Sequence, residues 1–293
     1  MTLVTTFRVG SVTCHALEGG MQRLDGGAMF GVVPKPLWEK RIEPDQRNRI
    51  PLGLRCLLIE HDAGPVLVDT GIGNKESGKF TDIYGVENRG MHGPTQLDDA
   101  LAEAGFTAHD VRYVINTHLH FDHAGGNTFV EPGGSEEPAL AFPNATYVVQ
   151  EGELQFASRT NERIAASYLA PNFEPVTAAG RWQLVRGEAE VLPGLRLLPT
   201  PGHVPHHQSV LLSSGGESAC FLGDLVPTSA HLPLPWIMGY DLEPLLTLET
   251  KRAVLGRAEA EGWILVVEHD PERALGRVVR AGRSYGFAPL DTQ

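Results

Sequence analysis

The sequence is short of the features that most quickly assign a chain to a class. It has three cysteines in 293 residues, and Cys14, Cys56 and Cys220 lie far apart among Val, Leu, Ala and Phe. A scattered, odd-numbered set excludes a disulfide framework and reads as small core residues. No apolar run reaches the length of a membrane span. The N-terminus, Met1 to Arg8, lacks the basic, then apolar, then small-residue order of a secretory leader, so the expected location is the cytoplasm, with no membrane partner. Basic charge is scarce too: 24 Lys and Arg stand against 36 Asp and Glu, a formal charge of −12. Without a basic run or interleaved aromatic and basic residues, a nucleic-acid backbone is a poor partner. The sequence shows no internal repeat and no low-complexity tract. Its 42% of hydrophobic residues suffice for a buried core, read as a single domain over 1–293.

Histidine, by contrast, is concentrated. Three of the twelve histidines fall in one six-residue window, His118, His120 and His123, with Asp122 between them, spaced H-x-H-x-D-H. The window follows the apolar run Val111–Asn116. A strand running into it would put His118 and His120 on one side, because alternate residues share a face. The turn that follows would bring Asp122 and His123 round to a second point. Imidazole and carboxylate suit borderline divalent metals such as zinc. A polar loop that merely happens to be His-rich explains this density poorly.

Taken in order, residues Phe7 to Leu17 alternate as a strand. Glu18 to Pro51 is rich in Gly and Pro and reads as an irregular N-terminal insertion at 18–51, with Met29, Phe30 and Trp38 to dock it over a pocket or onto a second copy in a homodimer. Leu54 to Glu60 and Pro65 to Asp69 form a hairpin. Asp69, at the end of an apolar strand, is placed to orient a metal-binding His or its loop. Thr95 to Asp98 is a capping-box variant opening a helix that Gly105 ends. Strands follow at Val111 to Asn116, Ala145 to Gln150, Arg181 to Val185, Leu195 to Pro199, Gln208 to Leu212 and Ala219 to Leu222. A helix opens at Asp241, with Pro244 early in it and Leu245, Leu248 and Leu255 near its apolar face, and a last strand is Trp263 to Val267. This order suggests an α+β fold of two halves, each a sheet covered by helix: an αββα sandwich.

Three more polar residues close apolar strands: His203 in Thr200-Pro201-Gly202-His203, Asp224 in Phe221-Leu222-Gly223-Asp224, and His269 in Val267-Glu268-His269. Each alone is weak. Together with H-x-H-x-D-H, in this order, they resemble the metallo-β-lactamase-fold hydrolases over nearly the whole chain, from Val68-Asp69-Thr70-Gly71 to His269. The resemblance implies the αββα fold and two divalent metal ions per chain. One would be held by His118, His120 and His203, the other by Asp122, His123 and His269, with Asp224 bridging. Zinc is the first choice, with Mn, Fe or Co also suited to such donors. Asp224 and Asp122 are the implied catalytic carboxylates of a metal-dependent hydrolase that attacks with a metal-bound hydroxide.

Among such hydrolases the pattern is similar to N-acyl-homoserine lactonases, the enzymes of quorum quenching, and in layout to methyl parathion hydrolase. The expected substrate is therefore a small-molecule ester, a lactone first. A phosphotriesterase or arylesterase on the same site is the alternative, and a mononuclear iron persulfide dioxygenase ranks behind both. Some lactonases carry a Tyr three residues after the bridging Asp, where this chain has Pro227; Tyr84, His231 or Tyr240 would have to replace it. The apolar loop after Asp224, with Trp236, Ile237 and Met238, reads as one wall of a hydrophobic pocket, with Met29 and Phe30 opposite.

Overall fold

Short, β-branched and apolar stretches separated by Gly and Pro turns give this chain many brief strands rather than few long ones. The structure is a computed structural model that describes residues 2–131, 133–135, 137–282 and 284–290. Its first half contains β1 (Val4–Val9), β2 (Val12–Asp25), β3 (Arg49–Ile59), β4 (Val66–Val68), β5 (Tyr113–Ile115), β6 (Thr128–Phe129), β7 (Ala139–Leu140), β8 (Thr146–Gln150) and β9 (Trp182–Val185). The second contains β10 (Ala189–Leu192), β11 (Leu195–Pro199), β12 (Gln208–Ser214), β13 (Glu217–Phe221), β14 (Ile264–Val266), β15 (Leu275–Ala281) and β16 (Ser284–Pro289). The helices are α1 (Gly26–Phe30), α2 (Lys35–Trp38), α3 (Gly78–Tyr84), α4 (Gln96–Glu103), α5 (Phe121–Ala124), α6 (Glu151–Ala157), α7 (Glu174–Ala178) and α8 (Pro244–Glu261). None of them is long and apolar enough to cross a membrane.

One seven-stranded sheet has the order β1-β2-β3-β4-β5-β8-β9, and the other runs β10 to β16 in sequence order; β6 and β7 pair separately. Their inner faces meet in a core of Cys14, Leu57, Ile59, Val68, Ile115 and Val148 against Leu197, Val210, Phe221, Ile264 and Val266. The alternate residues face outward. Cys56, Leu58, Leu67 and Val114 pack under Leu97 and Leu101 of α4, and Cys220, Leu265 and Trp263 under Leu255 and Ala258 of α8. Strands with both faces buried read as continuous apolar runs. The result is an αββα sandwich.

Local chemistry sets the covering helices. Thr95 and Asp98 form the expected capping box, with Thr95 N donating to Asp98 Oδ2 at 2.9 Å. Gly262 closes α8 in the left-handed conformation, φ 66°. The buried stripe of α8 is Thr247, Lys251, Leu255 and Ala258, whereas Leu245 is exposed. The expected face is thus rotated, because Lys251 takes a core position. Its ammonium donates to the carbonyls of Pro233 (2.9 Å) and Trp236 (2.8 Å), pinning the Pro-rich loop.

Two further expectations change. Phe7–Leu17 is not one strand: Gly10, at φ 56°, turns β1 back onto β2. Residues 18–51 are not a uniform irregular insertion either. β2 continues to Asp25 and β3 starts at Arg49, so only 26–48 leaves the sheet. The many glycines of 19–20 hid a strand, because they form a bulge in it (see below). After the last expected strand, the hairpin β15–β16 extends the second sheet.

β4, β5 and β8 run parallel, as do β13 and β14, and β11 shares their direction through two antiparallel pairings with β12. Their C-terminal ends therefore gather along one rim of the sandwich. Arg55 joins the two sheets there. It is 2% exposed, pairs with Glu18 at 2.7 Å, and donates from Nη1 to the carbonyls of Val267, Glu268 and Asp270.

Candidate metal centre

The gathered strand ends bring all seven expected ligands together. His118 and His120 follow β5, with Asp122 and His123 on the single turn of α5. His203 follows β11, Asp224 lies just after β13, and His269 just after β14. Ligand atoms of His118, His120, His203 and Asp224 lie within 4.8 Å of one another, and those of Asp122, His123 and His269 form a second such group. Asp224 faces both. Its Oδ2 is 3.0 Å from His203 Nε2, and its Oδ1 is 3.1 Å from His269 Nε2. Across the first group His120 Nδ1 and His203 Nε2 are 3.2 Å apart. Across the second, His123 Nε2 and His269 Nε2 are also 3.2 Å apart.

The outer ring atoms fix which nitrogen is bare. His269 Nδ1 donates to Gly53 O at 2.7 Å, and His203 Nδ1 to Asp241 Oδ1 at 2.9 Å. Thr117 Oγ1 donates to Asp69 Oδ2 at 2.6 Å, so it accepts from His118 Nδ1, 3.1 Å away. His123 Nδ1 lies 3.0 Å from Asp69 Oδ2 and 3.1 Å from Glu268 Oε2. Each of these four rings, once neutral, turns a bare Nε2 inward. The centre then consists of lone pairs only, and His118 Nε2 and Asp224 Oδ1 are buried without a hydrogen-bond partner. Acceptors packed against acceptors are stable only around cations, so the donor set fits divalent metal ions.

Electrostatics say the same thing in terms of protons. Burial opposes charge on His203, but the Asp224 and Asp241 carboxylates outweigh it and raise its pKa to about 10. His269 is raised to about 9 against the same burial, chiefly by Asp224. His118 and His120 go the other way, held well below the usual imidazole range by burial and by the neighbouring rings. Asp224 is kept well below the carboxylate range, its burial outweighed by His203, His123 and His269.

Asp69 stands where the sequence suggested. It is fully buried, accepts from Thr117 N at 2.8 Å and turns its other oxygen to His123. Its backbone is left-handed, φ 53°, a conformation Asp tolerates better than most residues. Asp241, Gln22, Glu268 and the carbonyl of Gly53 also contact expected ligands, and the sequence reading missed them. Their only signal was position: Asp241 lies three residues ahead of α8, which starts at Pro244 rather than at Asp241 as the sequence suggested, Glu268 precedes an expected ligand, and Gln22 lies in the glycine-rich stretch. His207 is a buried strut, with Nε2 accepting from Asp224 N at 3.1 Å, and burial pushes it down to about 3.

A cavity of about 240 Å³ opens on the centre, reaching His120, Asp122, His203, Asp224 and His269. Its walls are Leu24, Met29, Leu52, Tyr84, Phe121, Arg163, Ile164, Met238, Tyr240 and Leu242, among others. Met29, Tyr84 and Met238 thus stand where they were expected. Phe30, His231, Trp236 and Ile237 do not line it. Phe30 is buried between Trp38 (5.3 Å) and His231 (4.5 Å), with Trp236 at its edge. Both His231 nitrogens are engaged, with Thr228 Oγ1 (2.7 Å) and Met29 O (2.8 Å). Phe30, Trp38 and Trp236 pack with Met29 and Met238 in one apolar cluster. Pro227 keeps a role through its carbonyl, which accepts from His269 N at 2.9 Å.

The chain is similar to several known proteins. An N-acyl homoserine lactonase of a Bacillus species is 34% identical over 171 residues, covering 56% of this chain and 60% of that protein; the chain thus spans about 60% of the length of that curated relative. The crystal structure of a probable metal-dependent hydrolase from Staphylococcus aureus superposes with a TM-score of 0.86 at 30% identity, covering 98% of this chain and 100% of that one. An N-acyl homoserine lactone hydrolase, solved with N-hexanoyl-L-homoserine at its catalytic metal center, superposes with a TM-score of 0.65 at 25% identity, covering 91% and 95%. The family model described as the metallo-beta-lactamase superfamily matches residues 50–269, a span that holds every expected ligand from His118 to His269, and the chain belongs to that superfamily.

Proposed function

We infer that this protein is a dinuclear metal-dependent hydrolase that opens a lactone of the N-acyl-homoserine type. The observation that carries the reading is Asp224, whose carboxylate meets both sets of ligands: Oδ2 lies 3.0 Å from His203 Nε2 and 3.5 Å from His123 Nε2, and Oδ1 lies 3.1 Å from His269 Nε2. Two divalent ions held there, zinc first, would supply Lewis acidity for the scissile carbonyl and for the attacking water. His118, His120 and His203 would hold one, and Asp122, His123 and His269 the other.

The chain's own groups do the rest. Asp224 is placed to take the proton of the attacking water and return it to the leaving oxygen. Asp122 lines the cavity, where it would help hold the second ion. The rings of His203 and His269 are prevented from turning by Asp241 and by the Gly53 carbonyl. The apolar wall of Leu24, Met29, Leu52 and Met238 suits an acyl chain. Tyr84 and Tyr240 are the phenols at the centre's mouth. Burial raises both, Tyr240 to about 12, so each stays a neutral donor for a carbonyl oxygen at neutral pH.

The test compares kcat/KM of the zinc-loaded protein on a long-chain acyl lactone, an aryl ester and an organophosphate. The lactone is expected to be turned over most efficiently. Preference for the organophosphate or the aryl ester would overturn the lactonase reading, and full turnover by stably metal-free protein would overturn the hydrolase mechanism itself.

A further inference from the structure

We propose that Gln22 is a positioning residue for the second half-site, delivered to Asp122 by a one-residue bulge at Gly19–Gly20. The inference rests on the two-metal reading above. Gln22 is fully buried, and its Nε2 donates to Asp122 Oδ2 at 2.5 Å. That oxygen is also 3.8 Å from His269 Nε2, so the amide grips the ligand on the side that faces its partner imidazole. Turning the amide over would set its carbonyl against a carboxylate oxygen, so the orientation is fixed by charge. The cost is visible at the other end of the group, where Gln22 Oε1 is buried without a hydrogen-bond partner. A residue kept only for fold stability would not leave a buried acceptor unmatched.

The route by which Gln22 arrives explains why glycine is required. Ahead of the bulge β2 pairs Glu18 with Arg55, and beyond it Met21 with Gly53 and Gln22 with Leu52. One strand has advanced by three residues while its partner advanced by two. Side chains alternate with period two, so a single extra residue moves every later side chain to the other face. Gln22 then shares a face with Leu52, which lines the cavity. Without the extra residue Gln22 would stand opposite Pro51, facing away. Gly20 takes φ 127°, and a Cβ on Gly19 would meet Leu54 O at 2.6 Å. Both positions therefore exclude larger residues.

A neutral donor on a ligand carboxylate holds its direction and withdraws some of its charge. The test titrates metal-free wild type, Gln22→Leu and Gln22→Met with Zn²⁺ against a chromophoric chelator, and measures thermal unfolding of each metal-free protein. The expectation is two zinc sites in wild type and, in both variants, one unchanged site and one weakened by about 10–100-fold. Metal-free unfolding temperature should be equal or higher, since the unmatched acceptor is gone. Two unchanged affinities, or a loss shared equally by both sites together with a lower metal-free unfolding temperature, would overturn the proposal. If Gln22→Leu fails to fold, Gln22→Met decides. Fewer than two zinc ions in wild type would sink the two-metal reading and this inference with it, whereas two ions with unchanged variants would remove Gln22 alone.

Discussion

His118, His120 and His203 are three imidazoles steadied by a hydroxyl, by the ring of Tyr168 at 4.6 Å from His120, and by the single carboxylate of Asp241. Asp122, His123 and His269 include a carboxylate of their own, and His123 lies between two more, Asp69 and Glu268, both fully buried. The shared Asp224 therefore joins a neutral donor set to an anionic one. Coulomb attraction for a cation is larger where the extra carboxylates are, and low-dielectric surroundings amplify it. Two ions bound as proposed would be held unequally, and the second half-site should release its ion last.

The largest effect should separate the bridge from the two halves it joins. Asp224→Ala is expected to lose both ions and to lower kcat/KM on the order of 10⁴-fold, while His203→Ala and His269→Ala each lose one ion. Metal content per chain, measured alongside kinetics, checks this; an Asp224→Ala protein that keeps two ions would break the bridging picture.

A smaller effect should sharpen the contrast between the two supports. Asp241→Asn is expected to weaken only the first zinc site, by about 10-fold, and Asp69→Asn the second by up to about 100-fold. Asn tolerates the left-handed backbone at position 69 as Asp does, so the substitution tests charge rather than conformation. Stepwise chelation reads both; equal weakening of both sites by Asp241→Asn would contradict the division.

The smallest effect concerns pH in the metal-free protein. His203 and His269 have folded pKa values raised to about 10 and about 9. Their stabilisation is full below the unfolded value near 6.5 and is lost as pH rises through 9 to 10. His207 and His231 are depressed to about 3, so their contribution is present above 6.5 and is lost as pH falls towards 3. The contribution of these four imidazoles should therefore be greatest near pH 6.5 and decline on either side. Zinc should flatten the alkaline limb, because the ions replace the two protons. Equal alkaline slopes with and without zinc, in unfolding measured from pH 5 to 10, would contradict this.

The two halves of the centre were unequally legible in the sequence. Ligand positions announce themselves because each strand is a short apolar run and the polar residue at its end has no packing reason to be there. Asp69 could be read for the same reason. Gln22 and Asp241 could not, since each depends on a register or a helix start that one residue would change. The pocket was half legible. Met29 and Met238 face the cavity while their neighbours Phe30 and Ile237 do not, and only the three-dimensional turn of α1 and of the loop decides between adjacent apolar residues. The face of α8 was misjudged because Lys251, by type a surface residue, is buried on two carbonyls.

Arg55 bears on how fast the centre can be filled. Its guanidinium already draws the carbonyls around His269 onto the first sheet, and its charge is matched by Glu18 rather than by anything at the centre. The two sheets are thus latched by groups other than the expected ligands. If the centre takes up metal as proposed, loading would not depend on docking the two halves, and its rate should follow the concentration of free metal.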